Sequence, residues 1–383
     1  MSDVNELLDI ILITYNRRKY LEVTLNKMLS ENSPIRDYPI TVIDNNSTDG
    51  TSELCQDFAN RFPNLNYIKN KKNVGLSGNI CKAMEYAERK YFWIVCDNDD
   101  LEFTAWSDVE NAMRENKDLI LVCRDYYEGE DKNFYAFVLN QLTFLPSGIY
   151  KTEHLTDHVM SYAMADTYTV LPHLPLGCAI INKKGSVSLV SKSIVTLTSN
   201  VQIDDIEKYD FDRLKQDPAI TKNERTKSIN FPAGIVASFD ACQDEEVRMT
   251  AITNFTRQIN GKFGPFLNLR MFYYSQAPKY IKKEFVAKLP LNIKLHYYLI
   301  RLVHNIANIL LLNVARFKYY PEGELYLVSQ FNDFKICIWS WNWLFSIIHI
   351  YITEEKELML CLLSKLKIKL FWHRWFTGRF WSN

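Results

Sequence analysis

The sequence predicts an α/β fold, an open and mostly parallel sheet flanked by helices, and three observations carry that expectation. Short β-branched runs recur through the first 125 residues, segments with helical apolar spacing separate them, and each run ends in a polar stretch suited to a turn. The runs DIILIT (9–14) and YPITVID (38–44) are apolar on successive positions, as strands buried on both faces of a parallel sheet must be. Between them Tyr20, Leu21, Leu25 and Met28 fall on one helical face. After the second run, STDGTSELCQDFANRF offers Ser, Thr and Asp as helix caps and places Leu54, Phe58 and Phe62 together. The strand LNYIKN, a helix carrying Ile80, Met84 and Ala87, the strand YFWIV, a helix around 104–115 and the strand DLILVC (118–123) complete the alternation.

Beyond 125 the rhythm loosens. LPSGIY, HLPLGCAIINKKG and NFPAGIVASFD suggest strands with Gly/Pro turns that complete the sheet. From about 251 the pattern is largely helical, with a long amphipathic segment broken near Pro290. After Glu357 the tail carries Lys and Arg among Trp372, Trp375 and Trp381 and has no acid.

The chain has 383 residues, of which 47% are hydrophobic, and a formal net charge of zero. Such a length forms one large domain with an appendage, or two domains, and neutrality supplies no global field to draw nucleic acid. Eight dispersed cysteines without a CxxC pair point to reduced thiols in a cytoplasmic protein. MSDVNELLD has no cationic region ahead of its first apolar run, so a secretory signal is not expected. The nearest approach to a membrane span, residues 334–352, is interrupted by Lys335, Asn342 and His349.

Open α/β sheets bind ligands at the carboxyl ends of their strands. Here those ends read TYNR (14–17), DNNSTDG (44–50) and DNDD (97–100). In an extended chain Asp97 and Asp99 lie on one side about 6 Å apart and repel by roughly 3 kcal/mol, with Asp100 adding to it. A hard divalent cation would relieve that repulsion and fill its shell with water and phosphate oxygens; a solvated turn with helix caps is the competing explanation.

ILITYNRRKYL (11–21), VIDNNSTDGT (42–51), NVGLSGNICKAMEYA (73–87) and IVCDNDDL (94–101) occur in the order and spacing of a family 2 glycosyltransferase of the GT-A fold, and the chain resembles that family over about 100 residues. The resemblance implies a GT-A domain over 1–250, with a nucleotide-sugar half (1–125) and an acceptor half (126–250), followed by a helical region (251–383). By motif match Thr14, Tyr15 and Asn16 would line the base pocket, Asp44 would accept from the nucleobase, and Asn73 and Gly75 would adjoin the nucleotide. Asp97 would face the ribose, and Asp99, with Asp97 and Asp100 beside it, would hold Mg²⁺ or Mn²⁺. Asp44 and Asp49 could instead cap the following helix, and Asn73 could be a turn former.

The implied reaction is inverting transfer from a nucleotide-diphosphate sugar to a hydroxyl of a glycan or polyprenyl-linked glycan, as in surface polysaccharide or lipopolysaccharide assembly. Its base has two candidate segments, VQIDDIEKY with Asp204 and the preferred Asp205, and FDACQDEEVR with Asp244. His173, between prolines, is a candidate acceptor or leaving-group contact, set against a structural histidine. The basic, Trp-rich tail suits peripheral contact with the inner face of the cytoplasmic membrane, or simple packing. A sugar nucleotidyltransferase would want a Gly-rich loop that TYNRRKY lacks. A non-catalytic carbohydrate-binding relative or scaffold would be expected to lose acids that DNDD retains.

Overall fold

The computed structural model describes residues 6–122, 131–165, 167, 171–196, 231–257, 269, 272, 279–310, 315–319, 325–329, 335–338 and 350–352. Two compact units divide the chain, 1–255 and 256–383. In the first, Leu8–Thr14 (β1), Ile40–Asp44 (β2), Leu65–Lys69 (β3), Tyr91–Cys96 (β4), Leu119–Leu121 (β6), Gly148–Lys151 (β7) and Val187–Leu189 (β8) form one sheet in the order β3-β2-β1-β4-β7-β6-β8. Strands β1 to β4 are mutually parallel, and β7 runs antiparallel between β4 and β6. A two-residue strand, Asp100–Leu101 (β5), pairs with Val195–Thr196 (β9).

Both faces of the central strands are covered, so β1 and β4 carry no alternation. Leu8 and Ile10 through Ile13 are buried, as are Tyr91 through Val95. The covering helices are Arg18–Met28 (α1), Thr51–Arg61 (α2), Gly75–Glu85 (α3) and Trp106–Arg114 (α4). Leu21, Leu25 and Met28 of α1 pack into one core with Leu54 and Phe58 of α2 and Val109 and Met113 of α4. Trp93 anchors the middle of that core, its ring 5.9 Å from Trp106 and its Nε1 donating to the Pro146 carbonyl at 2.8 Å. Burying the indole without that acceptor would leave a polar group unpaired in an apolar layer.

The helices Asp131–Gln141 (α5), Asp157–Ala165 (α6), Leu174–Asn182 (α7), Phe231–Ser238 (α8) and Glu245–Arg257 (α9) complete this unit. Two of them correct the strand expectation for 173–185 and 230–240. Both segments are apolar on every side, so they carry no period to separate helix from strand, and Pro175 in the first turn of α7 favours the helix by presetting φ where no N–H partner is needed. Within 256–383 the expected helices form on either side of Pro290, Lys279–Lys288 (α10) and Leu291–Leu310 (α11). A four-stranded antiparallel sheet, Ala315–Tyr319 (β10), Leu325–Ser329 (β11), Lys335–Ile338 (β12) and Ile350–Ile352 (β13), is an addition that the helical spacing did not suggest. No helix among the described residues is long and apolar enough to cross a membrane.

Candidate active site

The strand order reverses direction between β1 and β4: β2 and β3 extend to one side of β1, and the chain then returns to place β4 on the other. Crevices outside the carboxyl ends of such a pair are where open sheets bind ligands. The side chains that meet there are Thr14 and Arg17 from the β1 exit and Asp97, Asn98 and Asp99 from the β4 exit.

Asp97 is the centre of this group. Its side chain is buried, Thr14 Oγ1 donates to Oδ2 at 2.7 Å, and Arg17 Nη1 lies 3.1 Å from Oδ1. Arg17 Nη1 also donates to Asn98 Oδ1 at 2.9 Å. Thr24 of α1 donates to the Asp97 carbonyl at 2.8 Å, and Lys27, one turn on, pairs with Asp100 at 2.8 Å. Helix α1 therefore holds the acidic segment at two points along its length, Thr24 and Lys27, with Arg17 adding a third just before the helix. Burial raises the Asp97 pKa, opposed by the charge of Arg17 and the bond from Thr14.

The chain turns at Asp97 and Asn98 instead of continuing extended, so the expected row of three adjacent carboxylates does not form. Asp97 faces Arg17, and Asp100 is exposed and paired with Lys27. Asp99 is different. It is buried at 7% exposure, and its Oδ2 has no hydrogen-bond partner. Burial pushes its pKa up to about 7, offset in part by hydrogen bonding from Cys96 and reinforced by the negative charge of Asp97. A buried carboxylate oxygen without a partner is the feature of this edge that fits a cation bound through one protein carboxylate.

The other exits are joined by main-chain and amide bonds. Asn16, at φ 50°, accepts from Thr48 N at Oδ1, while its own N–H donates to Ser47 Oγ. Asp49 accepts from Arg18 N at the start of α1 and from Thr51 at the start of α2, so its capping role is observed. Asn73 is exposed and accepts from Asn45 Nδ2 and from the N–H of Gly75, which sits at φ 76°. Sequence patterning missed the buried amides behind it: Asn70 donates to both Asn45 and Asn79. Their spacing carries no period, and only the repeated Asn at strand exits hinted at them.

Three expected contacts are engaged by other groups of the protein. Asp44 is fully buried, accepting from Ser47 N at 2.8 Å and Tyr67 Oη at 2.7 Å, so it shapes the β2 turn instead of facing solvent. His173 is fully buried against Tyr150 with Nε2 2.8 Å from the Leu142 carbonyl, and burial lowers its pKa to about 4. It is a neutral structural histidine, which corrects its reading as an acceptor contact. Asp244 accepts from Glu246 N and Val247 N and caps α9. Asp204 and Asp205 lie outside the described residues, and Tyr15 is half-buried at the β1 exit. The only three-residue set of potential metal ligands among the described residues, Asp118, Glu153 and His154, is at the opposite edge of the sheet, where Lys151 Nζ already bridges Glu153 (2.5 Å) and Asp118 (3.9 Å).

Replacing Arg17 with Ala leaves the Asp97 carboxylate buried without its cation. Chemical denaturation should show a loss of about 2–3 kcal/mol, part of which Asp97→Asn in the same chain restores. Asp99 gives a pH signature in divalent-free buffer. Its folded pKa of about 7 lies above the ordinary 3.8, so its contribution is full below pH 4 and is lost as pH rises through 7. Melting temperature should fall between pH 5 and 8 by the equivalent of roughly 2–4 kcal/mol, and Asp99→Asn should flatten that slope.

Residues 9–182 match the family model "Glycosyl transferase family 2". Abequosyltransferase RfbV of Salmonella typhimurium is 32% identical over 113 residues, 29% of this chain and 34% of that protein. The putative teichuronic acid biosynthesis glycosyltransferase TuaG of Bacillus subtilis is 28% identical over 100 residues, 26% of this chain and 38% of that protein. The chain thus spans only a little over a third of the length of these curated relatives. The crystal structure of S. aureus TarS 1-349 superposes with a TM-score of 0.51 at 15% identity, covering 86% of this chain and 98% of that one, and shares the GT-A fold. Residues 9–182, which hold all four parallel strand exits and the Asp97–Arg17 pair, are the part of this chain that matches glycosyl transferase family 2.

Proposed function

We propose that this protein transfers a glycosyl group from a nucleotide-diphosphate sugar to a hydroxyl of a glycan or lipid-linked glycan, with inversion, in the assembly of a surface polysaccharide. The observation that carries the reading is the unpartnered, buried Asp99 oxygen beside the Thr14–Asp97–Arg17 group at the strand switch. The relatives' names, an abequosyltransferase and a teichuronic acid biosynthesis glycosyltransferase, support the polysaccharide setting.

In this reading the donor lies across the carboxyl edge, with its base near Tyr15 and Asn16 and its ribose toward Asp97. The β2 turn, held by Asp44, and the Asn73–Gly75 turn form the floor. Thr14 and Arg17 hold the Asp97 carboxylate in one orientation, so contacts to the ribose are set before the donor arrives. Asp99 would hold Mg²⁺ or Mn²⁺, which supplies positive charge to the departing nucleoside diphosphate. Arg17, 21% exposed, provides a fixed positive charge next to the same edge. Asp244 is engaged at a helix start, so the acceptor proton is assigned to Asp205, with Asp204 beside it.

Incubation with UDP-, GDP-, CDP- and dTDP-sugars, with and without Mn²⁺, should release nucleoside diphosphate from one donor class. Formation of nucleoside triphosphate and sugar 1-phosphate when pyrophosphate is added would indicate a nucleotidyltransferase, and absence of any donor binding would favour a carbohydrate-binding scaffold. Asp99→Ala should remove the divalent-dependent release while leaving the circular dichroism spectrum unchanged; full activity in that variant would refute the metal assignment. For the base, Asp205→Asn should bind donor normally yet lose transfer by about 100-fold or more. Asp244→Asn should change stability instead of turnover, and the reverse result would exchange the two roles.

A further inference from the structure

Helix α11 has two apolar faces. Ile293 and Tyr297 are buried on one, with Ile300 half-buried beside them. On the opposite side Leu291, Leu295, Tyr298, Leu299 and Leu302 are exposed by 74%, 63%, 51%, 50% and 55%. These five recur at i, i+4, i+7, i+8 and i+11, which at 100° per residue places them on a single stripe. Since the inner face is already filled, the stripe is a second apolar surface and not a displaced core face. A contiguous apolar stripe on a helix marks an interaction surface.

Charge indicates what meets it. Lys294 and Arg301 lie along one margin of the stripe and His296 along the other, and the chain has no Asp or Glu between residues 285 and 321. Symmetric pairing of two copies along this stripe would bring the cations of one helix near those of the other with no carboxylate on either helix to compensate. An anionic lipid surface has the complementary charge. It accepts leucine side chains at the headgroup–acyl boundary, cations at the phosphates, and a tyrosine at the interface between them. At 20 residues the helix is long enough to cross a membrane but not apolar enough.

We propose that α11 docks the protein on an anionic bilayer, lying flat with the Leu291–Leu302 stripe inserted and Lys294 and Arg301 on lipid phosphates. This places the membrane contact on a helix 56 residues before the tail segment 358–383, counting from Leu302, where the sequence suggested it. The proposal does not depend on the identity of the donor or on the transfer reaction.

The test is co-sedimentation of the full chain with phosphatidylcholine vesicles containing phosphatidylglycerol, against phosphatidylcholine alone. Binding should require the anionic lipid and weaken with added salt. The double variants Leu295→Ser/Leu299→Ser and Lys294→Glu/Arg301→Glu should each reduce it by about tenfold or more. All four positions are on the outer side or margin of the helix, so melting temperature should hold and serves as the folding control. Deletion of residues 358–383 should leave binding in place. Binding that survives both double variants, or that is lost only with the tail, overturns the proposal. So does a dimer that Leu295→Ser/Leu299→Ser converts to monomer in a protein that ignores vesicles.

Discussion

A buried carboxylate at the point where the sheet reverses its strand order is the constraint around which the ligand-binding edge is organised. Asp97 is carried into the interior by the apolar strand that precedes it, and a charge so placed is tolerated only when donors and a cation surround it. Thr14 and Arg17 meet that demand from the neighbouring exit. Because the Thr14 hydroxyl and the Arg17 guanidinium lie three residues apart, satisfying one carboxylate also fixes the loop between β1 and α1. Thr24 and Lys27 extend the same attachment along the helix, so the acidic segment is tied to α1 as well as to the β1 exit.

That arrangement leaves the three acids of DNDD in three different states. Asp97 is compensated by protein, Asp100 by an exposed lysine, and Asp99 by neither. The elevated pKa of Asp99 and its orphaned oxygen are two expressions of one fact, that the folded chain has desolvated a carboxylate and left one of its oxygens without a partner. The proposed cation would supply what this group lacks. The rest of the edge is complete: asparagine amides and main-chain N–H groups bind one another across β2, β3 and α3, and left-handed turns at Asn16, Asn46 and Gly75 let those bonds form.

The second unit bears on the setting of the reaction more than on its chemistry. A helix with one face packed and the other studded with leucine and bordered by cations is compatible with the lipid-linked acceptor proposed above, since surface docking would bring the chain to where such an acceptor lies. Whether a sugar is transferred and whether the bilayer is bound are separable properties, carried by different residues.

Much of this was legible in the sequence, for local reasons. Strand and helix periods, the polar exits and the break at Pro290 are written in neighbouring residues, and so is the helix-start role of Asp49. The four motifs that resemble family 2 lie in consecutive βα units and could be read in order. Where the period vanished, in the uniformly apolar segments that became α7 and α8, strand and helix could not be told apart. What tertiary structure alone decided are the partners of side chains far apart in the chain: Arg17 with Asp97, Lys27 with Asp100, His173 with the Leu142 carbonyl, Tyr67 with Asp44. The sequence names the groups that must be satisfied when buried, but which donor reaches which acceptor depends on strand order and helix placement, and those are settled only when the whole sheet is assembled.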